Sequence, residues 1–184
     1  MFLSCSQRTS IQNKKRACLS PTGFVPLIHH SMKFSEIINP SQIILDLLAT
    51  DRWVAIDALV NHLVAEKRIP EAQKDTVLQA VKNREKTMST GIGFGIAIPH
   101  ASTDAITQVT AVFARSSTGI NFDSLDNQLV KLVVLFLVPA GQYQQHLKTL
   151  ASISRFLNDR DFREKAEQAQ TADEIYQLVV QREQ

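Results

Sequence analysis

The chain has 184 residues, of which 44% are hydrophobic and 21% charged. That composition suits one ordinary globular domain with its own core. No apolar run approaches the roughly 18–20 residues of a membrane-spanning helix, and both cysteines, Cys5 and Cys18, lie near the amino terminus, which excludes a disulfide framework or a Cys-based zinc site in the body of the chain. The formal net charge of +2 divides unevenly. Residues 1–31 hold Arg8, Lys14, Lys15 and Arg16 and no acid, whereas residues 32–184 hold 16 basic and 18 acidic side chains. The body therefore has no electrostatic case for nucleic-acid binding.

Residues 1–31 show no sustained period and read as a disordered basic leader or a mis-assigned start, with an organelle transit peptide as the lesser alternative. Phe24–Ile28 is too short for a secretory apolar core and contains Pro26. His29 and His30 are incidental neighbours in that leader. The domain is expected over 32–184, from Met32 onward. Ile43–Leu48 is short and apolar and suits a strand. Ile56, Leu59, Val60, Leu63 and Val64 recur at helical spacing, so a helix is expected there, capped by Thr50 or Asp51. His62 lies beside that stripe and reads as a surface or partly buried side chain rather than a ligand.

Pro70 suits the first turn of a second helix running to about Glu85, with Val77, Leu78 and Val81 inward. A break over Thr87–Gly95 precedes a short strand, Ile96–Ile98. Val109–Ala114 reads as a strand. Leu129–Val138 is apolar apart from Lys131 and Gln128 precedes it, so it reads as a strand buried on both faces and ended by Pro139 and Gly141. Leu147, Leu150, Ile153, Ser154 and Leu157 mark a helix. Thr171–Glu174 is a capping-box pattern ahead of a last helix with Ile175, Leu178 and Val179. Strands interleaved with helices predict a single α/β domain with helices covering the sheet.

Gly91, Gly93 and Gly95 suggest a phosphate cradle, but two familiar versions fail. No Gly-Lys-Ser/Thr triplet follows, and position 96 is isoleucine where a dinucleotide fingerprint needs glycine. Pro99 holds Ile98 extended and fixes its own φ, so His100 is expected at the end of a strand on a stiff backbone. Such a histidine can act as a nucleophile near neutral pH. It can equally be a strand-end histidine bonded to a backbone group, and residue chemistry alone weighs the two equally.

The stretch Asn83-Arg84-Glu85-Lys86-Thr87-Met88-Ser89-Thr90-Gly91-Ile92-Gly93-Phe94-Gly95-Ile96-Ala97-Ile98-Pro99-His100 resembles the phosphorylation-site region of enzyme IIA domains of the bacterial phosphoenolpyruvate-dependent phosphotransferase system, in the mannitol/fructose class. Ser89–Gly93, with Leu125–Gln128 and Leu137–Ala140, is most similar to the nitrogen-regulatory members. The resemblance spans roughly Met32 to Val180. It implies a mixed β-sheet flanked by helices on both sides, and a phosphotransferase with a phosphohistidine intermediate, without metal or cofactor. His100 corresponds to the histidine that accepts a phosphoryl group from phospho-HPr. Arg84 corresponds to an arginine that helps bind that group, and His146 to a second histidine facing the first. Gly93 and Gly95 are expected to let backbone approach closely.

The same resemblance implies a cytoplasmic regulatory protein with no membrane insertion, whose further partners are an enzyme IIB or regulated target proteins. The alternatives are a sugar-transport enzyme IIA passing phosphate to an enzyme IIB, and a docking module without chemistry. A metal site on His100 and His146 is weaker, because two histidines fall short of the usual ligand count. Two positions depart from the family pattern: Phe94 replaces a polar or small residue and, with Ile92, is expected in an apolar patch near His100, while Ala101 replaces a glycine. Ser102, Thr103 and Asp104 are expected as a polar loop.

Overall fold

The computed structural model describes residues 32–183. The leader, both cysteines and His29–His30 lie outside the described residues. After two short 3-10 turns the chain forms β1 (Ile43–Ile44), α1 (Arg52–Ala65), α2 (Lys74–Thr87), β2 (Gly91–Gly93), β3 (Ile96–Ala97), β4 (His100–Thr103), β5 (Thr110–Ile120), β6 (Val130–Pro139), α3 (Tyr143–Leu157), α4 (Arg160–Gln168) and α5 (Ala172–Arg182). The strands make one mixed sheet in the order β1-β5-β6-β3-β2, and β4 also pairs with β6. β5 and β6 are antiparallel, as are β2 and β3, while β1 runs parallel to β5 and both β3 and β4 run parallel to β6.

Alternation along β5 and β6 builds a core on each face. Ala111, Phe113, Leu132, Val134, Phe136 and Val138 point toward α3, α4 and α5, where Ile153, Phe156, Phe162 and Ile175 meet them. Val112, Ala114, Val133, Leu135 and Leu137 point the other way onto Ile56, Leu59, Leu63, Val77 and Val81 of α1 and α2. β6 is buried throughout except at Lys131, as a strand with helices on both faces requires. The expected α/β sheet with helices on both sides is the fold observed.

Local departures from the sequence reading have identifiable causes. Only Ile43–Ile44 of the first apolar stretch is strand. Pro70 precedes a 3-10 turn, Glu71–Gln73, and α2 begins after it at Lys74. β5 runs on to Ile120 because the polar Arg115 is satisfied where it lies: its Nε donates to the Leu45 carbonyl at 2.8 Å and Nη1 to the Ala169 carbonyl at 2.6 Å. α4 went unseen in the pattern, since nine mostly polar residues bury only Phe162 and Ala166.

Candidate active site around His100

β3 and β4 behave as one strand. Ile96 pairs with Leu132, Ala97 with Val133, His100 with Phe136 and Ala101 with Leu137, so the register on β6 is unbroken across Ile98–Pro99. Pro99 has no N–H to give, but its carbonyl still accepts from Phe136 N at 2.9 Å. His100 therefore sits inside the extended segment rather than at its end, and Ser102 and Thr103 continue β4 instead of forming a loop. Placement by a paired strand holds the imidazole more firmly than a loop would.

The ring is oriented by its own strand. His100 Nδ1 lies 2.8 Å from the Ile98 carbonyl oxygen. A carbonyl only accepts, so Nδ1 carries the proton and the neutral ring leaves a lone pair on Nε2. Burial pushes the His100 pKa below its usual 6.5 and nearby Arg84 pushes the same way, while the Ile98 carbonyl and Glu85 oppose. The neutral form, with its free Nε2 lone pair, thus predominates at pH 7.

Arg84 comes from the last turn of α2, where its Nη1 donates to the Met88 carbonyl at 3.0 Å. Arg84 and His100 together line two adjoining clefts. One, of about 440 Å³, is walled mainly by apolar side chains, including Ile92, Ile98, Leu125, Leu147 and Leu150. The other, of about 400 Å³, adds Ser102 and Tyr143. Met88, Leu125 and Leu147 are exposed hydrophobic residues at the rim of the first. A guanidinium and an imidazole at the meeting of two open clefts can hold an anion against a nucleophile.

His146 belongs to the first turns of α3. It is buried with its ring edge-on to Phe136, at 6.4 Å between centroids, and its Nδ1 has no hydrogen-bond partner. Burial lowers its pKa. Three residues earlier Tyr143 stacks on His100, at 6.2 Å and 19° between ring planes. His100 and Phe136 are register partners, so the two ring pairs are supplied by the same neighbouring positions on β4, β6 and α3. His146 itself lines neither cleft. α3 begins at Gln142 with no side-chain cap, so its first N–H groups add positive partial charge beside His100.

The glycines divide. Gly91 lines the apolar cleft, and a Cβ there would come within 2.8 Å of the Ser124 Cβ. Gly93, Phe94 and Gly95 instead shape the β2–β3 hairpin, with φ of 55° at Phe94 and 75° at Gly95. Positive φ at both loop residues is what a two-residue type I′ hairpin turn requires, and Gly93 before them is also positive, at 92°. Asp126 secures it by accepting from Phe94 N at 2.8 Å. Phe94 is exposed at the hairpin tip with the Arg163 guanidinium over its ring, and it lines neither cleft; Ile92 does line one. Ala101 is buried on the α2 side. His62 Nε2 meets the Ser41 carbonyl at 2.7 Å, away from the clefts. Tyr143, Glu85 and Thr90 escaped the sequence reading, although Glu85 stands beside Arg84 in the motif.

No helix among the described residues is long and apolar enough to cross a membrane, and no group of three or more His, Cys, Asp or Glu there could hold a metal ion. Comparison with known proteins adds the family. The chain is 42% identical over 130 residues to a PTS system fructose-specific EIIA component of Haloferax volcanii, covering 69% of this chain and 83% of that protein. It is also 42% identical over 126 residues to a nitrogen regulatory protein of Escherichia coli K12, covering 68% and 76%. The crystal structure of nitrogen regulatory protein IIA-Ntr from Neisseria meningitidis superposes with a TM-score of 0.72 at 28% identity, over 79% of this chain and 97% of that one. The sequence profile of the phosphoenolpyruvate-dependent sugar phosphotransferase system, EIIA 2, matches residues 36–181, and the chain belongs to that family.

Proposed function

We propose that this protein is a phosphoryl carrier in which His100 Nε2 takes a phosphoryl group from phospho-HPr. The observation that carries the reading is the Nδ1 contact with the Ile98 carbonyl, which leaves Nε2 as the free lone pair beside Arg84. In the step, Nε2 attacks phosphorus and the N–P bond of the donor phosphohistidine breaks, its electron pair returning to the donor imidazole. The His100 ring then carries a formal positive charge, with its Nδ1–H still on the Ile98 carbonyl. Little covalent work falls to the surroundings, so positioning and charge stabilisation supply the catalysis. Arg84 binds the equatorial oxygens. The open first turn of α3 adds its N–H dipoles, and His146, buried behind the clefts with Nδ1 unpartnered, joins them as a donor only if its ring turns toward the anion.

The regulatory, nitrogen-type role is our reading, supported by the Ser89–Gly93 pattern and the likeness to IIA-Ntr. Transfer to an enzyme IIB of fructose type is the second reading, favoured by the equal identity to the fructose-specific relative. The apolar rim of Met88, Leu125 and Leu147 suits a transient protein contact around His100.

Intact mass after incubation with phosphoenolpyruvate, enzyme I and HPr, kept at neutral to alkaline pH, tests the carrier step. One phosphoryl group should appear on the native protein and none on His100→Ala. A folded native protein that gains nothing overturns the reading in favour of a docking module. Loss of the label to a fructose-type enzyme IIB favours the transport role over the regulatory one.

A further inference from the structure

Glu85 is a carboxylate only 1% exposed at the end of α2, and among the described residues it has no ion-pair partner. Burying such a charge is costly unless it is compensated. Both of its oxygens are taken by one residue: Oε1 accepts from Thr90 N at 3.0 Å and Oε2 from Thr90 Oγ1 at 2.7 Å. The Thr90 carbonyl in turn accepts from Ile98 N at 3.0 Å. The Ile98 carbonyl accepts from His100 Nδ1 at 2.8 Å. Every donor in this series lies on the His100 side and every acceptor on the Glu85 side. Each bond thus donates in the direction of the buried carboxylate, although the N–H and C=O of Thr90, and of Ile98, belong to adjacent peptide groups.

We propose that Glu85 is a positioning residue for His100: through Thr90 and Ile98 it holds the Nδ1–H tautomer and stabilises the positive charge that the ring gains when Nε2 is phosphorylated. The inference rests on the carrier reading of His100. Its logic is that of a buried carboxylate fixing a catalytic imidazole, except that here two backbone links stand between them. The field of Glu85 opposes that of Arg84, the other charged group acting on the ring. Arg84 thus serves the phosphoryl oxygens while Glu85 serves the imidazole.

Glu85→Gln separates charge from geometry. A glutamine can accept from Thr90 N through Oε1 and donate to Thr90 Oγ1 through Nε2, so both contacts survive while the charge is lost. The variant should keep the native NMR spectrum away from the site. The His100 pKa, read from imidazole ¹⁵N shifts, should fall below that of the native protein. The phosphoryl equilibrium with HPr should shift toward the donor by roughly tenfold, the lower end of what removing an outer partner of a metal-ligating histidine does. If both values match the native protein while the native protein is phosphorylated, Glu85 has only a structural role and the inference is overturned with the carrier reading intact.

A measurement on the native protein alone covers the case in which Glu85→Gln does not fold. The Thr90 amide resonance should titrate with the same midpoint as His100. A Thr90 amide that ignores the His100 titration overturns the relay. If the native protein takes no phosphoryl group, the carrier reading falls, and the assigned role of Glu85 in stabilising phosphorylated His100 falls with it.

Discussion

The two helical layers treat their helix starts differently. α1, on one face of the sheet, opens with Asp51, whose carboxylate accepts from Trp53 N at 2.8 Å and Val54 N at 3.1 Å. α3, on the other face, opens with Gln142 and no side-chain cap. The first arrangement satisfies the free N–H groups internally and contributes about 1 kcal/mol. The second leaves them without a side-chain acceptor, beside Tyr143 on His100 and a buried His146 Nδ1 without a partner. The α1–α2 layer builds a continuous apolar core and lends the site Arg84 and Glu85 from its last turn, whereas the α3 layer gives up some local stability next to the proposed nucleophile. The helix starts are thus divided between a capped one on α1 and an open one on α3, while the clefts around His100 take side chains from both layers.

Arg84→Ala is the largest expected break in that division. It should slow phosphorylation by about 10²-fold or more, as loss of a preorganised charge does, yet cost stability only about 1 kcal/mol for the contact with the Met88 carbonyl. Quench-flow phosphorylation and urea unfolding read the two effects separately. An Arg84→Ala protein as fast as native would remove the arginine from the proposed site.

Moving the cap sharpens the comparison at smaller scale. Asp51→Ala should lower unfolding free energy by roughly 0.5–2 kcal/mol with phosphorylation unchanged. Gln142→Asp should do the opposite: a carboxylate on the first turn of α3 gains stability of the same order and slows phosphorylation, because it occupies the N–H groups the phosphoryl oxygens need. Equal phosphorylation rates in native and Gln142→Asp proteins would show that this helix start takes no part.

The smallest effect is on pH dependence. Burial lowers the pKa of both His100 and His146 below 6.5. The unfolded chain then binds more protons than the folded one just below pH 6.5, so stability should be intact above that pH and decline as pH falls toward the depressed folded values. Thermal midpoints measured from pH 8 to 5 should show this decline, and replacing His146 with phenylalanine should flatten part of it.

Legibility in the sequence followed how local each signal was. α1 was readable because Ile56, Leu59, Val60 and Leu63 form a helical stripe behind Asp51, and all four are buried. β6 was readable as an apolar run. α5 was readable from Thr171, which does accept from Glu174 N at 3.2 Å. β2 was not, since Gly-Ile-Gly has no strand pattern and becomes one only by pairing Gly91 with Ala97. Phe94 looked like part of the patch near His100, but the type I′ turn carries it to the hairpin tip under Arg163.

What the sequence determined by itself was the set of elements whose apolar period or capping chemistry is local and the α/β class that follows from their order, with Arg84, His100 and His146 marked as candidates by the family resemblance. Only the tertiary structure decided that β3 and β4 keep one register across Pro99, that Tyr143 stacks on His100, and that Glu85 reaches His100 through Thr90 and Ile98. The physical reason is range. Helix periodicity and caps involve residues three or four apart, whereas the β6 register and the Tyr143 stacking join distant residues, and the short Glu85–Thr90 and Ile98–His100 links connect only once Ile98 N pairs with the Thr90 carbonyl across the β2–β3 hairpin.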